Sequence, residues 1–316
     1  MTDLSLLAAV MAKASSEQAS KTPPPLNASL TAFDWQTIRL READAAKQAS
    51  QNKALLKPSV RPDPNQNVTE FAQPTSVLPR SGGQLYWQRF AAIRSGRLYT
   101  RLPIDSFREI WQQTTSNPTD RQWRQLLAME ARAATRGQGD RRLSIMVGDS
   151  LSLWFPSDRL PANQLWLNQA ISGENTSAIL RRLSTFAGAR PQAIYVMAGV
   201  NDLKQGATDN EILWNLRQIV RRLKRAHPHA QIVVQSILPT RTAAVPGNRV
   251  GQLNQRLAAI ARQDGAAFLN LYTAFADVDG SLRDALTTDG LHLNATGYQT
   301  WQAALTQADT RLARRG

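Results

Sequence analysis

The chain has 316 residues, a formal net charge of +14, three histidines and no cysteine. The absence of cysteine excludes disulfides, thiolate nucleophiles and thiolate-bound zinc, and three scattered histidines argue against a multi-histidine metal site, so neither metal nor other cofactor is expected. The positive charge suits an anionic membrane or polysaccharide as a peripheral partner. However, Lys and Arg are spread over both halves of the chain, which fits a solubilising surface as well and gives no basic arm for nucleic acid.

Residues 1–82 carry few order signals and are expected to be a largely flexible segment. Pro23-Pro24-Pro25, the stretch from Lys57 to Asn65 and Ser81-Gly82-Gly83 punctuate it, with one helix predicted from about Phe33 to Gln51. The apolar run Leu4 to Met11 follows Asp3, and no Lys or Arg precedes Lys13, which argues against a secretory leader. No run approaches the ~20 apolar residues of a spanning helix. A cytoplasmic location is the expectation, with peripheral membrane contact and secretion left open.

Residues 83–140 are predicted to form a helical extension. Apolar side chains recur with helical spacing at Leu85, Trp87, Phe90 and Ile93, at Ile104, Phe107 and Trp111, and at Trp123, Leu126, Leu127 and Ala131. Asn117-Pro118-Thr119 followed by Gln122 reads as a helix start. Arg89, Arg94, Arg97, Arg101, Arg108, Arg121 and Arg124 lie among Trp87, Trp111 and Trp123. That pattern suits a lipid interface, or an extension that packs its tryptophans inward.

From residue 141 to 316 strands and helices alternate. Strand-like runs at Leu143–Gly148, Leu165–Ile171, Ala193–Gly199, Gln231–Leu238 and Ala266–Leu271 are separated and followed by helical stretches at about 175–187, 208–227, 250–264 and 295–311. This predicts a parallel sheet covered on both faces, whose chemistry gathers at the carboxyl ends of its strands.

Three of those ends carry complementary groups. Gly148-Asp149-Ser150-Leu151 places a hydroxyl after the first strand, although Ser150 alone reads equally as a helix cap. Asn168 to Gly173 ends the second on a glycine that can offer its N–H to a ligand or simply make a turn. Gly199-Val200-Asn201-Asp202 ends the third with an amide suited to an oxyanion, or to a turn. Before the last helix, Asp289 and His292 stand three apart, close enough for the carboxylate to meet Nδ1–H and leave Nε2 free to take a serine proton. His227 and His229 fall in the turn Ala226–Ala230, so His292 is the only histidine in a strand-end loop.

In this order the four segments resemble blocks I, II, III and V of the SGNH (GDSL) serine hydrolases, over roughly residues 143–310. Asn168 to Thr176 and Asp289 to Tyr298 look closest to the platelet-activating-factor acetylhydrolase and thioesterase I branches, with Leu293 where many members have proline. The resemblance implies a flavodoxin-like three-layer α/β/α sandwich with a five-stranded parallel sheet. It further implies a carboxylic ester hydrolase with Ser150, Asp289 and His292 as triad and the N–H groups of Ser150 and Gly173 with the Asn201 amide as oxyanion hole. An α/β-hydrolase elbow is excluded, since position 152 is Ser where G-x-S-x-G requires Gly.

Leu151, Trp154, Val200, Leu203 and Leu291 are candidates for lining the substrate site, or are ordinary core. Arg241, in the loop Pro239–Arg249, is a candidate for contacting a polar leaving group. The expected substrate is a small acyl ester, a lysophospholipid or an O-acetylated glycan; the alternatives are an O-acyltransferase on the same triad and a module that binds anionic surfaces.

Overall fold

The computed structural model describes residues 78–313. The flexible segment expected up to residue 82 and the helix predicted over 33–51 therefore fall, save residues 78–82, outside the described residues.

In chain order the elements are α1 (Gly82–Arg94), α2 (Arg108–Trp111), α3 (Asp120–Gly137), β1 (Leu143–Gly148), α4 (Ser150–Leu153), β2 (Leu165–Asn168) and α5 (Thr176–Arg182). There follow β3 (Ala193–Met197), α6 (Val200–Lys204), α7 (Asp209–Ala226), β4 (Gln231–Gln235), α8 (Gly247–Gln263), β5 (Ala267–Leu269), α9 (Tyr272–Phe275) and α10 (Ala295–Ala313). The five strands form one sheet in the order β2-β1-β3-β4-β5, and every pairing is parallel. This is the flavodoxin-like order, whose crevice lies at the carboxyl ends of β1 and β3 where the winding reverses.

The sequence explains this architecture. β1 and β3 are buried at every position, so residues pointing to either face are covered, and the strands read as continuous apolar runs rather than alternating ones. α7 buries Ile212, Leu213, Leu216, Ile219, Val220 and Leu223 along one stripe, and Thr208 and Glu211 close a capping box at its start. α5, α7 and α8 pack side by side. α10 lies on the sheet through Trp301, whose Nε1 donates to Gln235 Oε1 of β4 at 2.7 Å.

Helices form where the periodicity of Leu85 to Ile93 and of Trp123 to Ala131 predicts them. The stretch Ile104 to Trp111 is instead turn with one helical turn, Phe107 taking a left-handed φ of 60° that breaks the helix. Thr119 and Gln122 form the expected capping box at the start of α3. Trp111 and Trp123 are buried and Trp87 is half-buried; of the seven arginines noted above, Arg89 is fully buried and the other six are exposed. What the extension covers is the free edge of the sheet. Thr100 Oγ1 donates to the Trp166 carbonyl and Arg89 Nη2 to the Asn168 carbonyl, each at 2.7 Å. These are alternate carbonyls of β2 on the side without a neighbouring strand, which an uncovered edge would leave open to pairing with another chain. Arg89 is held by a buried ion pair with Glu130 at 2.6 Å and lies over the Tyr99 ring at 4.5 Å.

Candidate active site

The end of β1 is crowded in a way only glycine permits. A Cβ on Gly148 would sit 2.4 Å from Ser152 Oγ and 2.5 Å from the Met197 carbonyl. The chain then turns through Asp149, whose Oδ1 accepts from Leu151 N at 3.0 Å, and Ser150 becomes the first residue of α4. Asn168 at the end of β2 braces this helix: its Nδ2 donates to the Ser152 carbonyl at 2.7 Å while its Oδ1 accepts from Ala170 N at 3.0 Å.

The loop after β2 carries Gly173 at φ +80°, the left-handed region that favours glycine. Arg182 locks this loop to β1. Its Nε donates to Glu174 Oε2 at 2.6 Å, Nη1 to the Gln169 carbonyl at 2.6 Å and Nη2 to the Gly148 carbonyl at 3.3 Å. Asn201, from the turn after β3, reaches the same loop, donating through Nδ2 to the Glu174 carbonyl at 3.0 Å. An amide nitrogen has two hydrogens, so one remains to point at a ligand. Asp202 accepts from both the N–H and the hydroxyl of Thr176, tying the third strand end to the start of α5. Among the described residues the N–H groups of Ser150 and Gly173 have no hydrogen-bond partner. The structure thus holds three donors at adjacent strand ends, two of them free and one half free.

Opposite them stands the loop before α10. Asp289 Oδ2 meets His292 Nδ1 at 2.7 Å, and Asp289 Oδ1 accepts from the N–H groups of His292 and Leu291 at 2.7 and 3.0 Å. Partial burial pushes the Asp289 carboxyl up, but the imidazole and these two N–H groups outweigh it and hold the group at about 2. The loop is docked on the serine helix by Tyr298, whose hydroxyl donates to the Leu151 carbonyl at 3.1 Å. His292 is close enough to Asp149 to favour that neighbour's ionised form. Nε2 of His292 has no hydrogen-bond partner among the described residues.

Residues 134–300 match the GDSL-like lipase/acylhydrolase family. The chain belongs to this family. Among curated relatives, the rat platelet-activating factor acetylhydrolase IB subunit alpha1 (Rattus norvegicus) is 29% identical over 136 residues, which cover 42% of this chain and 58% of the relative. The chicken alpha2 subunit (Gallus gallus) is 27% identical over the same shares. The chain therefore matches little more than half the length of these relatives. Among solved structures, a Streptococcus pneumonia protein described as a platelet activating factor has a TM-score of 0.52 at 24% identity, covering 58% of this chain and 92% of its own. A GDSL-like lipase from Bacteroides thetaiotaomicron gives the same TM-score at 19% identity, covering 60% and 97%. The structural likeness bears on the fold, and the family match on the α/β domain. The match leaves most of the extension outside.

Within this GDSL-like domain the residues expected to line a substrate site divide. Leu151, Val200 and Leu203 are buried in the main core, so they support the turns that carry Ser150 and Asn201. Helical spacing alone gives a core leucine and a pocket leucine the same signature. Trp154 lines a cleft, and Leu291 is partly exposed beside His292. Arg241 is not free: its Nη1 donates to the Leu282 carbonyl at 2.9 Å, its Nε pairs with Asp284 at 3.0 Å, and its backbone N–H holds the Gly290 carbonyl. The geometry makes it a brace for the histidine loop.

Asp149 is the residue whose environment the sequence hid. Its carboxyl is fully buried, and Oδ2 has no partner among the described residues. Burial first, and then the Asp202 carboxylate, push it up to about 7 against the opposing pull of the Leu151 N–H and of His292. The native state therefore binds more protons than the unfolded chain between the ordinary 3.8 and about 7. Stability from this group is fully present below the unfolded value and declines as pH rises through the folded one. Asp149→Asn removes the slope. Thermal melts from about pH 4 to 8 should show the variant gaining on the parent by a few kcal/mol; a parallel pair of curves would contradict the assignment.

Proposed function

We propose that the chain hydrolyses carboxylic esters through an acyl-enzyme on Ser150. The observation that carries this reading is the Asp289–His292 pair, fixed at Nδ1 with Nε2 unpartnered, beside a helix start that Tyr298 docks on the serine helix, together with the unpartnered N–H groups of Ser150 and Gly173. Ser150 Oγ attacks the acyl carbonyl as its proton passes to His292 Nε2. The resulting oxyanion is held by the N–H groups of Ser150 and Gly173 and the free hydrogen of Asn201 Nδ2. Collapse breaks the bond to the alcohol, which leaves with the proton from His292. Water, deprotonated by the same nitrogen, then attacks the acyl-serine and regenerates the hydroxyl. Asp289 keeps the imidazole in the tautomer that bears its hydrogen on Nδ1.

The acyl group favoured is a short one, in keeping with relatives named for acetyl hydrolysis. A series of p-nitrophenyl esters of increasing chain length, with Ser150→Ala as control, tests both statements. Turnover that persists in the variant removes the nucleophile assignment, and a rising kcat/KM beyond butyrate removes the preference.

A further inference from the structure

A cleft of about 440 Å³ opens beside Gly173. Its base is formed by Leu153 of α4 and Ile171, its near wall by the Gly173 loop and α5, and its far wall by Pro118, Asp120, Trp123 and Arg124 of the extension. We propose that this cleft binds the alcohol half of the ester as a neutral, hydroxyl-rich group, of the kind an O-acylated oligosaccharide presents, with Arg124 and Arg181 as specificity-determining residues. The inference rests on the reading of Ser150 as an esterase nucleophile.

Position is the first argument. Gly173, whose free N–H faces the developing oxyanion in that reading, is itself part of the lining, which puts the cleft next to the reacting carbonyl.

Chemistry is the second argument. Both carboxylates of the lining are already paired, Asp120 with Arg124 and Glu174 with the adjacent Arg182, which leaves Arg181 as the one surplus cation. Asp120 and Arg124 pair at 2.6 Å with both side chains about half exposed. Their charges are felt by Glu174 and Arg182, so one ion pair faces another across the opening. Arg181 is exposed, with Nη1 donating to Ser177 Oγ at 2.7 Å. A phosphate would meet that single surplus cation beside two carboxylates, a poor match for its charge. An alkyl chain would strip water from the exposed charges of Asp120, Arg124 and Arg181 and return nothing. Hydroxyls both donate and accept, so a neutral polyol can satisfy guanidinium and carboxylate alike. Hydrocarbon has a better place on the far side of Leu153, in a second cleft lined by Leu85, Tyr99, Ile104, Trp154, Leu293 and Tyr298.

The test compares the parent, Arg124→Ala, Arg181→Ala and the double variant on an acetylated oligosaccharide and on p-nitrophenyl acetate. Both arginines are exposed, and unchanged melting temperatures check the fold. The ratio of kcat/KM for the oligosaccharide to that for the aryl ester should fall about tenfold for each arginine, through KM. A ratio that stays constant, whatever the absolute rates, overturns the cleft assignment and leaves the esterase reading standing. If the parent turns over neither ester, the esterase reading fails and the cleft assignment falls with it.

Discussion

Ser150→Ala should lower kcat for p-nitrophenyl acetate by on the order of 10⁶, to the level set by substrate binding and the oxyanion donors alone. The expectation is large because, in the proposed mechanism, serine, imidazole and carboxylate act as one unit, and removing the nucleophile leaves the base nothing to activate. The variant should fold as the parent does. Ser150 Oγ makes no hydrogen bond among the described residues, and its replacement leaves the Asp149 cap on Leu151 N in place. Equal melting temperatures alongside the lost turnover separate a catalytic effect from a structural one.

Asp289→Asn should give the second largest loss, between about 10² and 10⁴ in kcat with little change in KM. Asparagine keeps an oxygen for the N–H groups of His292 and Leu291. However, its NH₂ turned toward Nδ1 favours the tautomer with hydrogen on Nε2, which can no longer take the serine proton. The lower end of the range allows for solvent, because the Asp289 side chain is 53% exposed and water can partly replace it. The parent carboxyl is depressed to about 2, so its tether is complete above the ordinary carboxylate range and fails only as pH falls toward that value. An acid limb of activity above about pH 4 therefore does not report protonation of Asp289. A rate unchanged in Asp289→Asn would sink the orienting role.

Much of the fold was legible because its sheet is buried on both faces. Ala193-Ile194-Tyr195-Val196-Met197 has no polar break and is bounded by turn residues, which a half-exposed strand would not show. The strand ends were harder to read. β2 stops at Asn168, three residues before the expected Ile171, because the Asn168 side chain accepts from Ala170 N and turns the chain. β4 stops at Gln235 rather than Leu238, as Ile237 N is captured by Asn254 Oδ1 of α8. Apolar character continues past both points because the turns themselves are buried.

The site was legible where its chemistry is local. Asp289 and His292 stand three residues apart and meet in one turn, and Ser150, Gly173 and Asn201 each mark a strand end. What pairs distant positions left no such trace. Arg182 reads as one more cation in a basic chain, yet it binds the Gly148 carbonyl 34 positions away. Burial pulls this guanidinium down and pushes its partner Glu174 up, and their contact holds the loop that carries Gly173. Arg89 and Glu130, 41 positions apart, likewise gave no periodic signal, although their pair fixes the extension on the edge of β2. Removing one member of such a pair leaves an uncompensated buried charge, and only the tertiary structure reveals where that charge is.

In the proposed mechanism the acylated atom is Ser150 Oγ. Rapid acid quenching during turnover of p-nitrophenyl acetate, followed by peptide mapping by mass spectrometry, should place a single acetyl group on Ser150, accumulating with the initial release of p-nitrophenol. Acetylation of another side chain as turnover proceeds, with Ser150 unmodified throughout, would contradict it.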